Sequence, residues 1–302
     1  MALRVTPGMM HMQLTRNLTR NLNQMSELQN QVTTGRKINK ASDDPVGITY
    51  ALRYRSELAS NEQYQKNVNS ALSWLDFNDT VLSQATDVLK RAKELAVQGS
   101  NGTNPQVALD NIRDEMQQLK NQLLDVGNSK LNGKFVFNGQ KFDEMPYDAT
   151  KPGFDAKAVD TDDAQVNYTV GVGVTLPVNL SGNQAFGDPG DADNAFAVLD
   201  RVITALGAGE QRDVAGELDN IESRLDKLLN ARSEIGARVN RVELMQNRLK
   251  DLEINLTDLQ SKTEDAEFEK LLIDSKINEN IYQASLSVGA KVITPSLVDF
   301  LR

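Results

Sequence analysis

Apolar residues recur at three- and four-residue steps over most of the chain, a spacing that predicts helices. The first such stretch, roughly 9–34, places Met10, Leu14, Leu18, Leu22, Met25, Leu28 and Val32 on one face. Thr6-Pro7 before it suits a cap followed by a first-turn proline. The second stretch, roughly 45–98, carries Val68, Leu72, Leu75, Leu82, Ala85, Leu89, Ala92 and Ala96 in a near-heptad rhythm, and GSNGTNP at 99–105 stops it. The third, roughly 105–127, aligns Leu109, Ile112, Met116, Leu119, Leu123 and Val126. Thr103 or Asn104 is expected to cap it, with Pro105 in its first turn and Gly127-Asn128 at its end. Neither glycine nor proline interrupts the chain between Gly47 and Gly99 or between Gly236 and Gly289. Each run is long enough for a helix of about 75 Å.

The pattern changes in the middle. Residues 141–194 hold four of the eight prolines and six of the 19 glycines. Residues 134–139 read as a short strand with a turn. Val166, Tyr168, Val170, Val172, Val174 and Leu176 alternate with period two, which predicts a strand over 164–180. Helix returns near 191. From 213 onward, Ile221, Leu225, Leu228, Ile235, Val239 and Val242 form a seam in which Arg232 fills one position. Met245, Leu249, Leu252, Leu256 and Leu259 continue it after a phase slip. The tail adds Phe268, Leu271, Leu272, Ile277, Ile281, Leu286 and Val288, and ends in SLVDFLR.

The expected fold is mainly α with a small β-rich insert: a long antiparallel helical rod with both termini at one end. Its segments are 1–44, a terminal helix and linker; 45–140, rod; 141–190, a β-rich outer domain; 191–260, returning rod; and 261–302, an amphipathic terminal helix. The seams of 45–127 and 205–260 are able to cover one another. The stripes at the two ends lack such cover, and the entropy of ordering them is not offset by a thin helix pair alone. Residues 1–44 and 261–302 are therefore expected to be loose in one chain and ordered by assembly.

Composition sharpens this picture. Of 302 residues, 39% are apolar, 5% aromatic and 25% charged, which favours long amphipathic helices over one thick core. The net charge of −9 argues against nucleic acid as a partner. Residues 141–194 set three lysines against ten acidic residues, so most of that charge lies there. With no cysteine, disulfides and thiolate metal sites are excluded. The opening MALRVTPGMMHMQL lacks the apolar core of a signal peptide. No run of 18 apolar residues is available to span a membrane.

Candidate chemistry is sparse. His11 is the single histidine, so no Ser/His/Asp or Cys/His set is expected. Asp43 and Asp44 read as part of a helix N-terminus rather than as an acid–base pair, with Ser42, Asp43 or Asp44 as the cap and Pro45 in the first turn. Gly171-Val-Gly173 lacks the context of a phosphate loop. Asp148 to Asp160 lacks the spacing of a calcium loop. Asp162-Asp163 and Asp188, Asp191 and Asp193 read as solvated acidic loops. No catalytic residue, cofactor or metal is expected, and the chain is not read as an enzyme.

Two distant motifs carry a resemblance. Thr33-Thr34-Gly35-Arg36-Lys37-Ile38-Asn39 with Ala41-Ser42-Asp43-Asp44-Pro45-Val46-Gly47 resembles a signature of the bacterial flagellin family. Asn247-Arg248-Leu249, Asn255-Leu256 and Glu264-Asp265-Ala266-Glu267 resemble that family's C-terminal pattern. Within the family, the hook–filament junction branch is the more similar. The start Arg4-Val5-Thr6-Pro7-Gly8-Met9-Met10 resembles it, as do residues 132–139 with Pro146-Tyr147, although Phe135 stands where tyrosine is usual. The terminal SLVDFLR and the short insert point the same way.

The resemblance implies an extracellular structural subunit of the bacterial flagellum, exported unfolded and joining hook to filament as a ring. The implied partners are other copies of itself, a neighbouring hook-associated protein and flagellin, and an export chaperone on roughly 261–302. No nucleic acid and no membrane are implied. The expected assembly interface comprises Leu14, Leu18, Leu22, Met25 and Leu28, then Arg36, Lys37 and Lys40, and then Leu271, Leu272, Ile277, Ile281 and Leu286. The basic trio either pairs with acids of neighbouring subunits or belongs to a self-paired linker. A short flagellin forming the filament itself is the near alternative, and a cytoplasmic coiled-coil adaptor the distant one.

Overall fold

A computed structural model describes residues 7–292. The expected cap at Thr6 and the terminal SLVDFLR lie outside the described residues. Eight α-helices and four short strands are present among the described residues: α1 (Pro7–Thr34), α2 (Pro45–Gly99), α3 (Gln106–Gly127), β1 (Lys130–Leu131), β2 (Lys134–Phe135), β3 (Asn167–Gly171), β4 (Val174–Pro177), α4 (Gly182–Phe186), α5 (Ala195–Ala208), α6 (Gln211–Gly216), α7 (Leu218–Glu264) and α8 (Phe268–Val292). The protein is mainly α with a little antiparallel β structure. It divides into two compact units, one built from residues 7–60 and 252–292 and one from 61–251.

The larger unit rests on two antiparallel helix pairings. Contacts of α2 with α7 run Asn61–Leu249, Asn69–Gln246, Asp79–Arg232 and Lys93–Glu222, so one number rises as the other falls. Contacts of α3 with α5 run Gln106–Leu206 and Lys120–Asp200 in the same sense. The expected faces are the buried ones. All six periodic residues of α3 are buried, as are Val68, Leu75, Leu82, Leu89, Ile221, Leu228, Ile235 and Val242. Arg232, the polar break in the seam of α7, reaches Asp79 at 2.9 Å, so its charge is paired across the helices rather than stranded.

Several local expectations are corrected. Pro105 is itself the N-cap residue of α3, and no side chain caps that helix. Asn104 instead donates its amide to the Gln98 carbonyl at 2.6 Å. After the five-residue α4, the next helix begins at 195, close to the expected return near 191. Asn194 caps α5, its Oδ1 accepting from the backbone of Phe196 and Ala197. The alternating run over 164–180 is a hairpin rather than one strand: β3 pairs with β4, Tyr168 opposite Leu176. Gly173 takes a φ of 69° in the turn, and Val172 at its tip is 88% exposed. Alternation alone does not reveal a reversal when the turn residue is also apolar. Over 134–139 only Lys134–Phe135 is extended, paired with Lys130–Leu131. Val136 and Phe137 then turn into the core.

Residues 141–190 share their core with the helices. Phe137, Tyr147, Phe186 and Phe196 form an aromatic cluster with ring centroids 4.9–5.9 Å apart. Leu176, Val178 and Leu180 belong to the same buried cluster as Leu75 and Leu82 of α2. The acidic loop at 188–193 is not simply solvated. Asp193 is buried, and Arg224 and Lys227 each bond its carboxylate at 2.8 Å. Burial pushes the Asp193 carboxyl upward, but Lys227, Arg224 and Ser223 outweigh it and hold the group below its ordinary range.

Candidate assembly interface

The smaller unit holds every residue that the sequence nominates for assembly. Its centre is the linker 35–44. Gly35, at φ 70°, ends α1 where a side chain would be strained. The linker then docks on the end of α7. Lys37 N–H donates to the Glu264 carbonyl at 2.7 Å, and Ala266 N–H donates to the Gly35 carbonyl at 3.0 Å. Arg36 and Asp265 thereby form an antiparallel bridge.

Glu264 is the buried anchor of this junction, 1% exposed. Both of its carboxylate oxygens accept from Arg55, one from Nε at 2.8 Å and the other from Nη2. Arg36 Nε approaches the same carboxylate at 3.5 Å. A fork of two parallel bonds is the strongest arrangement available to a guanidinium and a carboxylate. Arg36 therefore faces its own chain. Lys37 and Lys40 are exposed, and neither makes an ion pair within 4 Å among the described residues.

The rest of the linker is held by caps. Asp44 caps α2, accepting from Val46 and Gly47 N–H at 3.0 and 2.9 Å. Asp43 closes the preceding turn, accepting from Lys40 and Asn39 N–H at 2.8 and 3.0 Å. Those two backbone bonds hold the Asp43 carboxyl below its ordinary range. Gly47 is demanded by close approach. A Cβ there would lie 2.4 Å from Asp44 Oδ2 and 2.6 Å from Ile38 Cδ1. Ile38 is the one large apolar side chain of the linker and is buried.

Helices α1 and α8 pack against each other. Leu14 sits on Gly289, where a Cβ would come within 2.7 Å of the leucine. Toward the other end, Leu28 and Gln31 share a groove of about 720 Å³ with Leu271 and Asp274. The pair is thus antiparallel. Leu14, Leu18, Met25 and Leu28 are half-buried, while Leu22 is exposed.

The apolar side of α8 divides between two faces. Leu271, Ser275, Asn278, Tyr282, Ser285 and Gly289 recur at helical spacing and, with Asp274 and Glu279, are the covered positions. At about 100° per residue, Ile273, Ile277, Ile281 and Val288 fall on a flank roughly 80–160° round the helix from that face, and all are 45–59% exposed. Of the nominated residues, Leu271 is therefore covered, and Leu272, Ile277, Ile281 and Leu286 are uncovered. Ile273 was not nominated, although its spacing of four from Ile277 carried the signal.

No cluster of three or more potential metal ligands exists among the described residues. No described helix is long and apolar enough to cross a membrane.

Comparison with known proteins places this geometry. Residues 5–141 match the bacterial flagellin N-terminal helical region. Over that stretch, somewhat under half of its length, the chain is similar to bacterial flagellins. The chain is 26% identical over 300 residues to flagellar hook-associated protein 3 of Escherichia coli K12, covering 94% of this chain and 95% of that protein. It is also 26% identical to a flagellin of Halalkalibacterium halodurans over 279 residues, covering 91% and 90%. Its fold is shared by the crystal structure of flagellar hook-associated protein 3 of Legionella pneumophila, at TM-score 0.62, 18% identity, 69% of this chain and 97% of that one. A hook-associated protein structure from Vibrio parahaemolyticus gives TM-score 0.67 at 22% identity, covering 74% and 100%.

Proposed function

We propose that this protein is a structural, non-enzymatic subunit of the bacterial flagellum, standing outside the cell at the junction between hook and filament. Similarity to hook-associated protein 3 over nearly the whole length of both chains supports the reading. The single structural observation that carries it is the uncovered aliphatic stripe Ile273–Ile277–Ile281–Val288 on α8. One face of α8 is already occupied by α1. The other leaves several large aliphatic side chains in water, each worth about 1.5–3 kcal/mol if buried. Neighbouring copies in a ring are the proposed cover, with a hook-associated protein and flagellin on either side. An export chaperone gripping 261–302 would shield the same face before assembly. Lys37 and Lys40, exposed and without ion pairs at close range, are the linker residues proposed to meet acids of a neighbour.

Immunogold labelling of intact flagella tests the reading. The expected result is a single band at the hook–filament boundary. Labelling along the whole filament would favour the second reading, a short flagellin, which the flagellin relatives support. Retention of the protein in the cytoplasm would defeat both.

A further inference from the structure

Three Asn-Gly pairs occur in the chain, at 101–102, 132–133 and 138–139, and the structure treats each differently. Asn138 is buried, and its amide nitrogen donates to the carbonyls of Lys141 and Glu144, both at 3.1 Å. Asn132 and Gly133 form the turn of the β1–β2 hairpin at φ 51° and 82°, held by the pairs on either side. Asn101 lies exposed in the loop between α2 and α3. Its Oδ1 accepts two bonds, from Thr103 N–H at 3.2 Å and from Thr103 Oγ–H at 3.0 Å. Neither its Nδ2 nor the N–H of Gly102 has a hydrogen-bond partner among the described residues. Around Gly102 there is open space, the nearest atom to a hypothetical Cβ being Gln211 Oε1 at 3.9 Å.

We propose that Asn101 is a self-modifying site at which the folded chain deamidates, with Thr103 as the positioning residue. Hydroxide takes the proton of the Gly102 amide. The nitrogen attacks Cγ of Asn101, and an N–C bond forms. The Cγ–Nδ2 bond then breaks, and the amide nitrogen leaves as ammonia after taking a proton from water. A second water opens the resulting succinimide at either carbonyl, which gives aspartate or isoaspartate. No oxidant or reductant is needed. During the attack the Asn101 carbonyl oxygen becomes an oxyanion, and both Thr103 donors already face it. Donors aimed in advance at developing charge lower such a barrier. A glycine nucleophile has no side chain to obstruct the approach. At Asn138 the leaving group is pinned by two bonds, and at Asn132 the hairpin must open first. The product adds one negative charge to the loop, and isoaspartate lengthens a main chain that now closes a turn from Asn104 N–H to the Asn101 carbonyl at 3.2 Å. The inference does not depend on the function proposed above.

The test is peptide mapping by mass spectrometry, with fragmentation that separates aspartate from isoaspartate, on the full native chain incubated in mildly alkaline buffer. Asn101 should convert several-fold faster than Asn132 and Asn138, and the three rates should converge in denaturant. Thr103→Val should slow Asn101 several-fold, Thr103→Ser should preserve the rate, and Gly102→Ala should nearly abolish it, with thermal melts confirming that each variant folds. Equal native rates at Asn101 and Asn138, or a Thr103→Val rate unchanged from that of the parent chain, would overturn the proposal.

Discussion

Arg55 grips both carboxylate oxygens of Glu264, a residue 209 positions away in the chain and almost wholly buried. That ion pair ties the start of α2 to the end of α7, and the Glu264 main chain holds the linker from α1.

Removal of Arg55 leaves the Glu264 carboxylate buried with only Arg36 beside it. Arg55→Ala should cost about 1–3 kcal/mol, the expense of an abandoned charge partner. Arg55 is itself partly exposed, which keeps the loss below that of a fully buried pair. The double change with Glu264→Gln should cost less than the sum of the singles. Hydrogen exchange over 30–44 and 262–275 reports it: faster exchange in Arg55→Ala, partly restored in the double variant. Arg36→Glu is a poor probe of contacts between subunits, because it would set a second carboxylate against Glu264.

Two glycine-to-alanine changes should have opposite signs. At Gly47 the new Cβ would collide with Asp44 and Ile38, which should cost about 1–3 kcal/mol by overpacking. At Gly236, exposed within α7, a Cβ meets nothing within 4 Å, and alanine should stabilise by up to about 1 kcal/mol. Thermal unfolding of the two variants decides this.

The faces of α8 should separate stability from association. Leu271→Ala removes a buried side chain and should destabilise the single chain by about 2–3 kcal/mol. Ile277→Ser with Ile281→Ser should leave single-chain stability within about 0.5 kcal/mol per site, since surface changes rarely do more. The same pair should abolish flagellar joining in a motility assay. Normal motility in that variant would remove the stripe from the interface.

Acid should loosen the linker turn. The Asp43 carboxyl is held below its unfolded value of 3.8 by the Lys40 and Asn39 amides. Its contribution is therefore present above that value and is lost as pH falls through the lower folded value. The amide resonances of Asn39 and Lys40 should titrate together in that acid range, and Asp43→Asn should remove the transition.

The family signature and the helices were legible because each depends on local spacing. In α3, six apolar residues at steps of three and four admit one buried face, and that face is the one observed. The Asp44 cap before Pro45 was equally local. The β3–β4 reversal was hidden because Val172 at its tip continues the alternation.

The sequence by itself determined where helices run, that they must pair, and that the ends carry apolar stripes. Only the tertiary structure decided which face of α8 is covered. Leu271, Leu272 and Ile273 are consecutive and equally apolar, so periodicity does not choose among them. The choice falls to small residues, Ser275, Ser285 and Gly289, which let α1 approach and leave the isoleucines outside. The pairing of Arg55 with Glu264 was likewise beyond the sequence. Each reads as an ordinary charge on a helix, and their meeting depends on how two long helices are brought side by side.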